Sequence, residues 1–572
     1  MMGGMSIRSR LSSLLVVFAL VLLAVPRLSA QAYVGRPKLI VIVVIDQFRA
    51  DYLNRDETLF KGRGFRLFMD EGAWFTDCYY DYANTKTAPG HATIGTGAYT
   101  DGHGIESNEF WDAARSMTHQ VTSVEDERYE LVDLPASSIP ANQPGAPATA
   151  LGYVIGSSPR NLRATTLGDE LRLATQGRAR VYGISLKDRA AILPAGQSAN
   201  GAFWIDPASG QFTTSTYYME HLPEWARVFN ASDRRAEAER EAKVPGTKQF
   251  FAMVGRTPAA NRYELDFAKA LIKGEKLGQN GVTDLLVVSL SANDIQGHQF
   301  GPDSLSEQQM ILSLDQDLGG FFGWLDQNIG LKNMWLALTA DHGIAPIPGE
   351  AAKLGIDSAT VDTKKLYVSL NAELSARFSY GKPAEYLLPG PDLPYIVLNS
   401  QAFRAAGVDE KTAENAVAEM LPGVIANLSP HPDANTDAAP ALHRLPPTPQ
   451  VAGVYTRLEF EHGQLPPSEW GRLLAHSYAD HGNWFVMLVL GAYQMGAASP
   501  FGGTTHFSPW SYDRHVPLAF YGEPFASGAY HQKVAPVDLA VTFSSLLGIN
   551  RPSAAVGHVL TMALKPASPG KN

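Results

Sequence analysis

The 572-residue chain has a single cysteine, Cys78. An intramolecular disulfide is therefore excluded, and the fold depends on its core. Cys78 stands among Thr76, Asp77, Tyr79 and Tyr80, with nothing nearby to activate a thiolate, so it reads as a packed thiol. Positive charge is also short: the formal net charge is −10. That balance argues against nucleic acid as the main partner. Long apolar runs are scarce as well. Leu14–Val25 is one, and it is shorter than the roughly 20 residues that a spanning helix needs.

What surrounds that run gives it a meaning. Arg8 and Arg10 precede it, and the small residues of Leu28-Ser29-Ala30 follow it. A charged start, a short apolar stretch and a small-residue exit describe a secretory signal peptide over residues 1–30, with cleavage after Ala30 or Ala32. The expected location is secreted or periplasmic, with no stable membrane span after signal removal. Losing three arginines and no acid moves the formal charge to −13. The remainder, residues 33–572, is 45% hydrophobic and 18% charged when taken with the leader, which is an ordinary globular balance.

Short runs rich in Val, Ile and Leu, without alternation, suit strands covered on both faces. Lys38–Ile45, Arg178–Leu186, Asp284–Leu290 and Met334–Thr339 are such runs, and Phe485–Leu490 and Val516–Tyr521 are expected to complete the same sheet. Helical patterns lie between them. Ile311, Leu314, Leu318, Phe321 and Leu325 share one helical face. Thr166–Thr175 and Val537–Leu547 are shorter candidates, the latter followed by Gly548 at the capping position. Strands alternating with helices predict an α/β fold with a mostly parallel central sheet flanked by helices. Residues 131–160 and 346–450, rich in Pro and small residues, read as insertions that cover or flank the site.

The acids and histidines fall at the ends of the strands. Asp46 ends the first. Asp284–Leu290 leads to Asp294 and His298, and Met334–Thr339 leads to Asp341, His342 and Gly343. Open α/β sheets bind ligands outside the carboxyl ends of their strands, so three strands deliver these groups to one edge. Asp with neutral His suits zinc. Asp294 and His298, four apart, share a face of a helical turn. A lone Asp after a strand is usually a turn residue; three on consecutive strand ends are harder to dismiss. In Thr85-Lys86-Thr87-Ala88-Pro89-Gly90-His91, Pro89 fits a helix's first turn, which puts Thr87 at a helix N-terminus that favours phosphate. A metal ion can activate such a hydroxyl as a nucleophile.

Together these residues resemble the alkaline phosphatase superfamily, in its branch with a threonine nucleophile. The late Gly503-Thr504-Thr505-His506-Phe507-Ser508-Pro509, the stretch Tyr512–Gly522 and the stretch Val537–Thr542 add to the likeness, although the family usually has glycine where Phe507 stands. The resemblance implies an alkaline-phosphatase-like sandwich with inserted cap segments. It implies two Zn²⁺, one held by Asp294, His298 and His506, the other by Asp46, Asp341 and His342 with Thr87 facing it. His481 and His515 compete with His506 for the last place. Thr87 lacks the following arginine of a sulfatase motif.

Lys187 and Arg189, two apart, would point the same way on an extended segment. They resemble the Lys-x-Arg pair of phosphate-irrepressible, PafA-like alkaline phosphatases, and Asn108 matches the family's phosphate-oxygen ligand. Extra cationic donors favour the doubly charged monoester. The expectation is a hydrolase of phosphate monoesters that releases inorganic phosphate through a phosphothreonine. A phosphodiesterase or nucleotide pyrophosphatase with the same metals is the alternative, and a non-catalytic metal- or phosphate-binding protein a distant one.

Overall fold

The computed structural model describes residues 36–134, 155–389, 393–428, 449–496 and 503–566. The leader predicted over residues 1–30 lies outside the described residues. Among the described residues no helix is long and apolar enough to cross a membrane.

The central sheet has nine strands. In chain order they are β1 (Leu39–Ile45), β2 (Ala73–Phe75), β3 (Val181–Ser185), β4 (Gly201–Ile205), β5 (Phe212–Thr213), β6 (Asp284–Leu290), β7 (Met334–Thr339), β8 (Leu518–Tyr521) and β9 (Gly528–Tyr530). Their order across the sheet is β9-β2-β8-β7-β1-β6-β3-β4-β5. The strands β7, β1, β6, β3 and β4 are mutually parallel. At the flanks β8 runs antiparallel to β7, and β5 antiparallel to β4. The α/β class and the mostly parallel sheet expected from the sequence are therefore present.

Register explains why chemistry gathers at one edge. Leu39 pairs with Asp284 on one side and with Met334 on the other, and Ile45 pairs with Leu290. The three strands start level, and Met334–Thr339 ends one residue before the other two. The residues just past their ends, Asp46, Ser291 and Ala340, therefore open onto one rim. All seven residues of β1 are buried, which fits its unbroken apolar run.

Helices pack on both faces of such a sheet. The predicted face of Ile311, Leu314, Leu318, Phe321 and Leu325 lies buried on the helix Leu305–Asn328. Thr166 caps Leu167–Ala174 through a reciprocal capping box with Asp169. Val537–Leu547 ends at Gly548, whose φ of 65° is a left-handed cap that glycine adopts without strain.

Phe485–Leu490 does not join the central sheet. It is the middle strand of a separate three-stranded antiparallel sheet, between Tyr395–Val397 and Val451–Thr456. Its unbroken hydrophobicity has another cause. Val486, Leu488 and Leu490 face one apolar core, while Phe485, Met487 and Val489 face a second. A strand covered on both faces reads the same whether its neighbours are parallel or antiparallel. Residues predicted as the 346–450 insertion supply the cover: Thr363–Phe378 and Glu410–Asn427 pack Leu370, Leu374, Val417 and Leu421 onto this small sheet. The polar stretch Ser429–Ala439, and residues 135–154 of the earlier insertion, lie outside the described residues.

Candidate active site at the carboxyl edge

Asp341 and His342 follow β7 on an irregular loop, as their adjacency required. Asp294 and His298 sit one turn apart on the helix Ala292–Phe300. Thr87 opens the helix Thr87–Thr96. That helix comes close to the β7 loop because of Gly90, where a Cβ would stand 2.3 Å from the Asp341 carbonyl oxygen. Only glycine allows that approach.

Two groups of lone-pair donors converge here. Asp46, Asp341 and His342 offer ligand atoms within 4.8 Å of one another, and so do Asp294, His342 and His506. His342 Nε2 lies 3.5 Å from Asp46 Oδ1 and 3.4 Å from Asp341 Oδ2. Those three buried atoms have no hydrogen-bond partner. Around Asp294 Oδ1 stand His298 Nε2 at 3.2 Å and His506 Nε2 at 3.7 Å. The His342 and His506 rings stack with centroids 3.7 Å apart, which joins the two groups. Of the competing histidines, His481 stacks on Phe110 and His515 on Tyr79, and His515 Nε2 is 2.9 Å from the Thr76 carbonyl. It is His506 that stands against Asp294.

The other ring nitrogens explain the orientation. Nδ1 of His298, His342 and His506 lies 2.9, 3.0 and 2.6 Å from the carbonyls of Thr504, Gly343 and Thr85. A neutral imidazole that donates from Nδ1 carries its lone pair on Nε2. Each Nε2 then faces carboxylate oxygens. Buried lone pairs aimed at one another fit a bound cation, and nitrogen with oxygen donors fits a divalent transition ion.

The titration of these groups follows their neighbours. Burial, then the charges of Asp294 and Asp341, pushes Asp46 well above the usual carboxylate range. Burial would raise Asp294 too, but Lys187, His298 and His506 hold it well below that range. Burial, with His342 and His298 alongside, pushes His506 well below the usual imidazole range. A neutral His506 is the form that ligates metal.

Lys187 departs from the geometry expected of it. It precedes the helix Asp188–Ala195, and Arg189 lies inside that helix, so the two are not on one extended segment. The Lys187 ammonium sits between two carboxylates, 2.6 Å from Asp46 Oδ2 and 2.7 Å from Asp294 Oδ2, and 3.5 Å from Thr87 Oγ1. Arg189 is 3.8 Å from Asp188 Oδ1, and its charge reaches Lys187. Asn108 Oδ1 accepts from the Ala88 amide at 2.8 Å, which sets its side chain at the start of the Thr87 helix.

Two supporting residues carry no assignment from sequence reasoning. Gln47 donates from its backbone amide to Asp341 Oδ1 at 3.0 Å and from Nε2 to Asp294 Oδ1 at 2.7 Å. His91 Nδ1 lies 2.8 Å from the Thr87 carbonyl and 3.3 Å from Asp341 Oδ2, while Nε2 is 2.7 Å from Ser289 Oγ. The signal for His91 was its spacing, four residues past Thr87 on one helical face. Gln47 has a φ of 65°, which no sequence pattern announced.

A mostly parallel sheet with a rim of Asp and His beside a helix-borne threonine defines a phosphate-ester hydrolase type of architecture. The chain belongs to the type I phosphodiesterase / nucleotide pyrophosphatase family, whose model matches residues 40–459. It is similar to alkaline phosphatase PhoV of Synechococcus elongatus, 31% identical over 93% of this chain and 94% of that one. It is 32% identical to alkaline phosphatase PafA of Elizabethkingia meningoseptica, over 92% of this chain and 94% of the relative. The crystal structure of wild-type PafA superposes with a TM-score of 0.77 at 29% identity, covering 93% of this chain and all of that one. The PafA-like resemblance expected from the sequence is borne out.

Proposed function

We propose that this chain is a phosphomonoesterase of alkaline-phosphatase type, acting through Thr87 and two divalent ions. The observation that carries the reading is the convergence of both Asp–His groups on a buried Lys187 that reaches Thr87 Oγ1 at 3.5 Å. Likeness to two alkaline phosphatases over nearly the whole chain supports it. Asp46, Asp341 and His342 would hold one ion, and Asp294, His298 and His506 the other. Zinc is the ion that this donor chemistry suits best. Bound there, the ions would supply Lewis acidity at the Thr87 oxygen and at the departing ester oxygen.

The chain's own residues do the rest. Thr87 Oγ attacks phosphorus, the ester P–O bond breaks, and the alcohol leaves. Water then hydrolyses the phosphothreonine and releases inorganic phosphate. Lys187 and Arg189 place positive charge beside the phosphoryl oxygens, and Asn108 donates to them. The amides at the start of the Thr87 helix add their partial positive charge. The charged start, short apolar run and small-residue exit of residues 1–30 support a leader that directs the chain to the periplasm or the medium. Residues 33–572 would act as one domain, with the insertions at its margin.

The family's description favours a second reading, a phosphodiesterase using the same metals. Comparing an aryl phosphate with a bis-aryl phosphate decides between them. The monoester should be preferred, and Lys187→Ala should erode that preference. A preference for the diester that Lys187→Ala leaves untouched would overturn the monoesterase.

A further inference from the structure

A cavity of about 310 Å³ lies beside the metal-ligand candidates and takes no part in the mechanism above. His298 and His506 form one wall, and Met487, Leu490, Met495 and Phe507 line others. Its size is that of a small ligand pocket, and its lining is mostly apolar.

Phe507 is the unusual member of that lining. Its φ is 97°, a left-handed backbone that favours glycine. Strain of this kind persists where surrounding contacts fix it, and it gathers at functional sites. The contacts are visible here. The Phe507 amide donates to Thr85 Oγ1 at 3.3 Å, and the next amide, of Ser508, donates to the same oxygen at 3.1 Å. The ring stands edge-on to His506, with centroids 4.2 Å apart, and the Lys86 ammonium lies 4.4 Å from its centroid. The ring is thus clamped between a cation and a candidate ligand.

We propose that this cavity receives the apolar or aromatic part of the leaving alcohol, and that Phe507 is the residue that selects for it. The inference rests on the phosphomonoesterase reading. There, Asp294, His298 and His506 would hold the ion that supplies Lewis acidity to the departing oxygen. His298 and His506 also wall the cavity, which therefore adjoins the place proposed for the departing group. Phe507 offers an aromatic face, and Met487 and Met495 offer soft, adaptable contacts.

The test uses the zinc-loaded enzyme, with Phe507→Gly and Met495→Gln as variants. The kcat/KM ratio for phenyl phosphate over ethyl phosphate, taken relative to wild type, cancels the intrinsic reactivity of the two esters. It should fall about tenfold in Phe507→Gly, and in the same direction in Met495→Gln. Calorimetry should show benzylphosphonate losing affinity relative to methylphosphonate by a similar factor. Phe507→Gly relieves the strained backbone, and Met495→Gln covers the case in which the loss of the Lys86 contact unfolds the loop. Unchanged ratios in both variants would overturn the assignment of the cavity. A wild type without monoester turnover sinks the phosphomonoesterase instead, and the calorimetric ratio then decides the cavity by itself.

Discussion

The carboxyl rim of the central sheet and the small three-stranded unit beside it solve burial in opposite ways. The rim encloses Asp46, Asp294, Asp341, His342 and His506, all within 5% of full burial, and leaves polar atoms of three of them without partners. The small unit encloses Leu370, Leu374, Val417 and Leu421 around Val486 and Leu488. Its core is apolar apart from isolated groups such as Glu414 on the helix Glu410–Asn427. Buried unpaired charge opposes folding, whereas apolar packing favours it. The rim therefore depends on what it binds, and the small unit depends on how well it packs.

That contrast can be broken most sharply at Thr87. Thr87→Ala should lower kcat/KM for a phosphate monoester by about a thousandfold or more, while zinc content and the folded circular dichroism spectrum persist. Lys187→Ala should act on stability as well as on rate. It leaves Asp46 and Asp294 buried without their shared cation, which costs about 3–5 kcal/mol in metal-stripped protein. Denaturant unfolding should show most of that loss recovered when zinc is added, because a divalent ion compensates the same carboxylates. No recovery would mean that the rim is not a cation site.

The small unit should respond differently. Leu421→Ala, at a fully buried position, should cost about 2–4 kcal/mol through its cavity. Hydrogen exchange should place the loss in residues 363–427, with zinc content unchanged. The same unit also carries a slope with pH. Burial pushes the Glu414 carboxyl up to about 8, from an ordinary value of 4.5. Between those values the folded state retains a proton that the unfolded state gives up, so stability falls as pH rises through that window. Glu414→Gln should remove this dependence, and its advantage over wild type should grow from pH 4.5 and level off above about 8.

The rim was more legible in the sequence than the small unit. Parallel strands advertise themselves as unbroken Val/Ile/Leu runs, and the next acid after each run marks the rim: Asp46, Asp294 and Asp341 all followed from that rule. His298 followed from a four-residue spacing, and Thr87 from a proline in the first turn of a helix. Phe485–Leu490 carried the same run but belongs elsewhere, because hydrophobicity reports cover and not partner. Lys187 and Arg189 were visible as charges, but their directions depend on a helix that begins at Asp188. The hydrogen bonds of Gln47 to Asp294 and Asp341 cross nearly 250 and 300 residues of chain, and only the fold brings those groups together.

In the proposed reaction Thr87 carries the phosphoryl group. Enzyme quenched in acid during turnover of a phosphate monoester, then digested and analysed by mass spectrometry, tests it directly. Wild type should carry a phosphoryl group on Thr87, and Thr87→Ala should lack both that group and the activity. Undiminished hydrolysis by Thr87→Ala, with no phosphorylated Thr87 in wild type, would contradict that reaction.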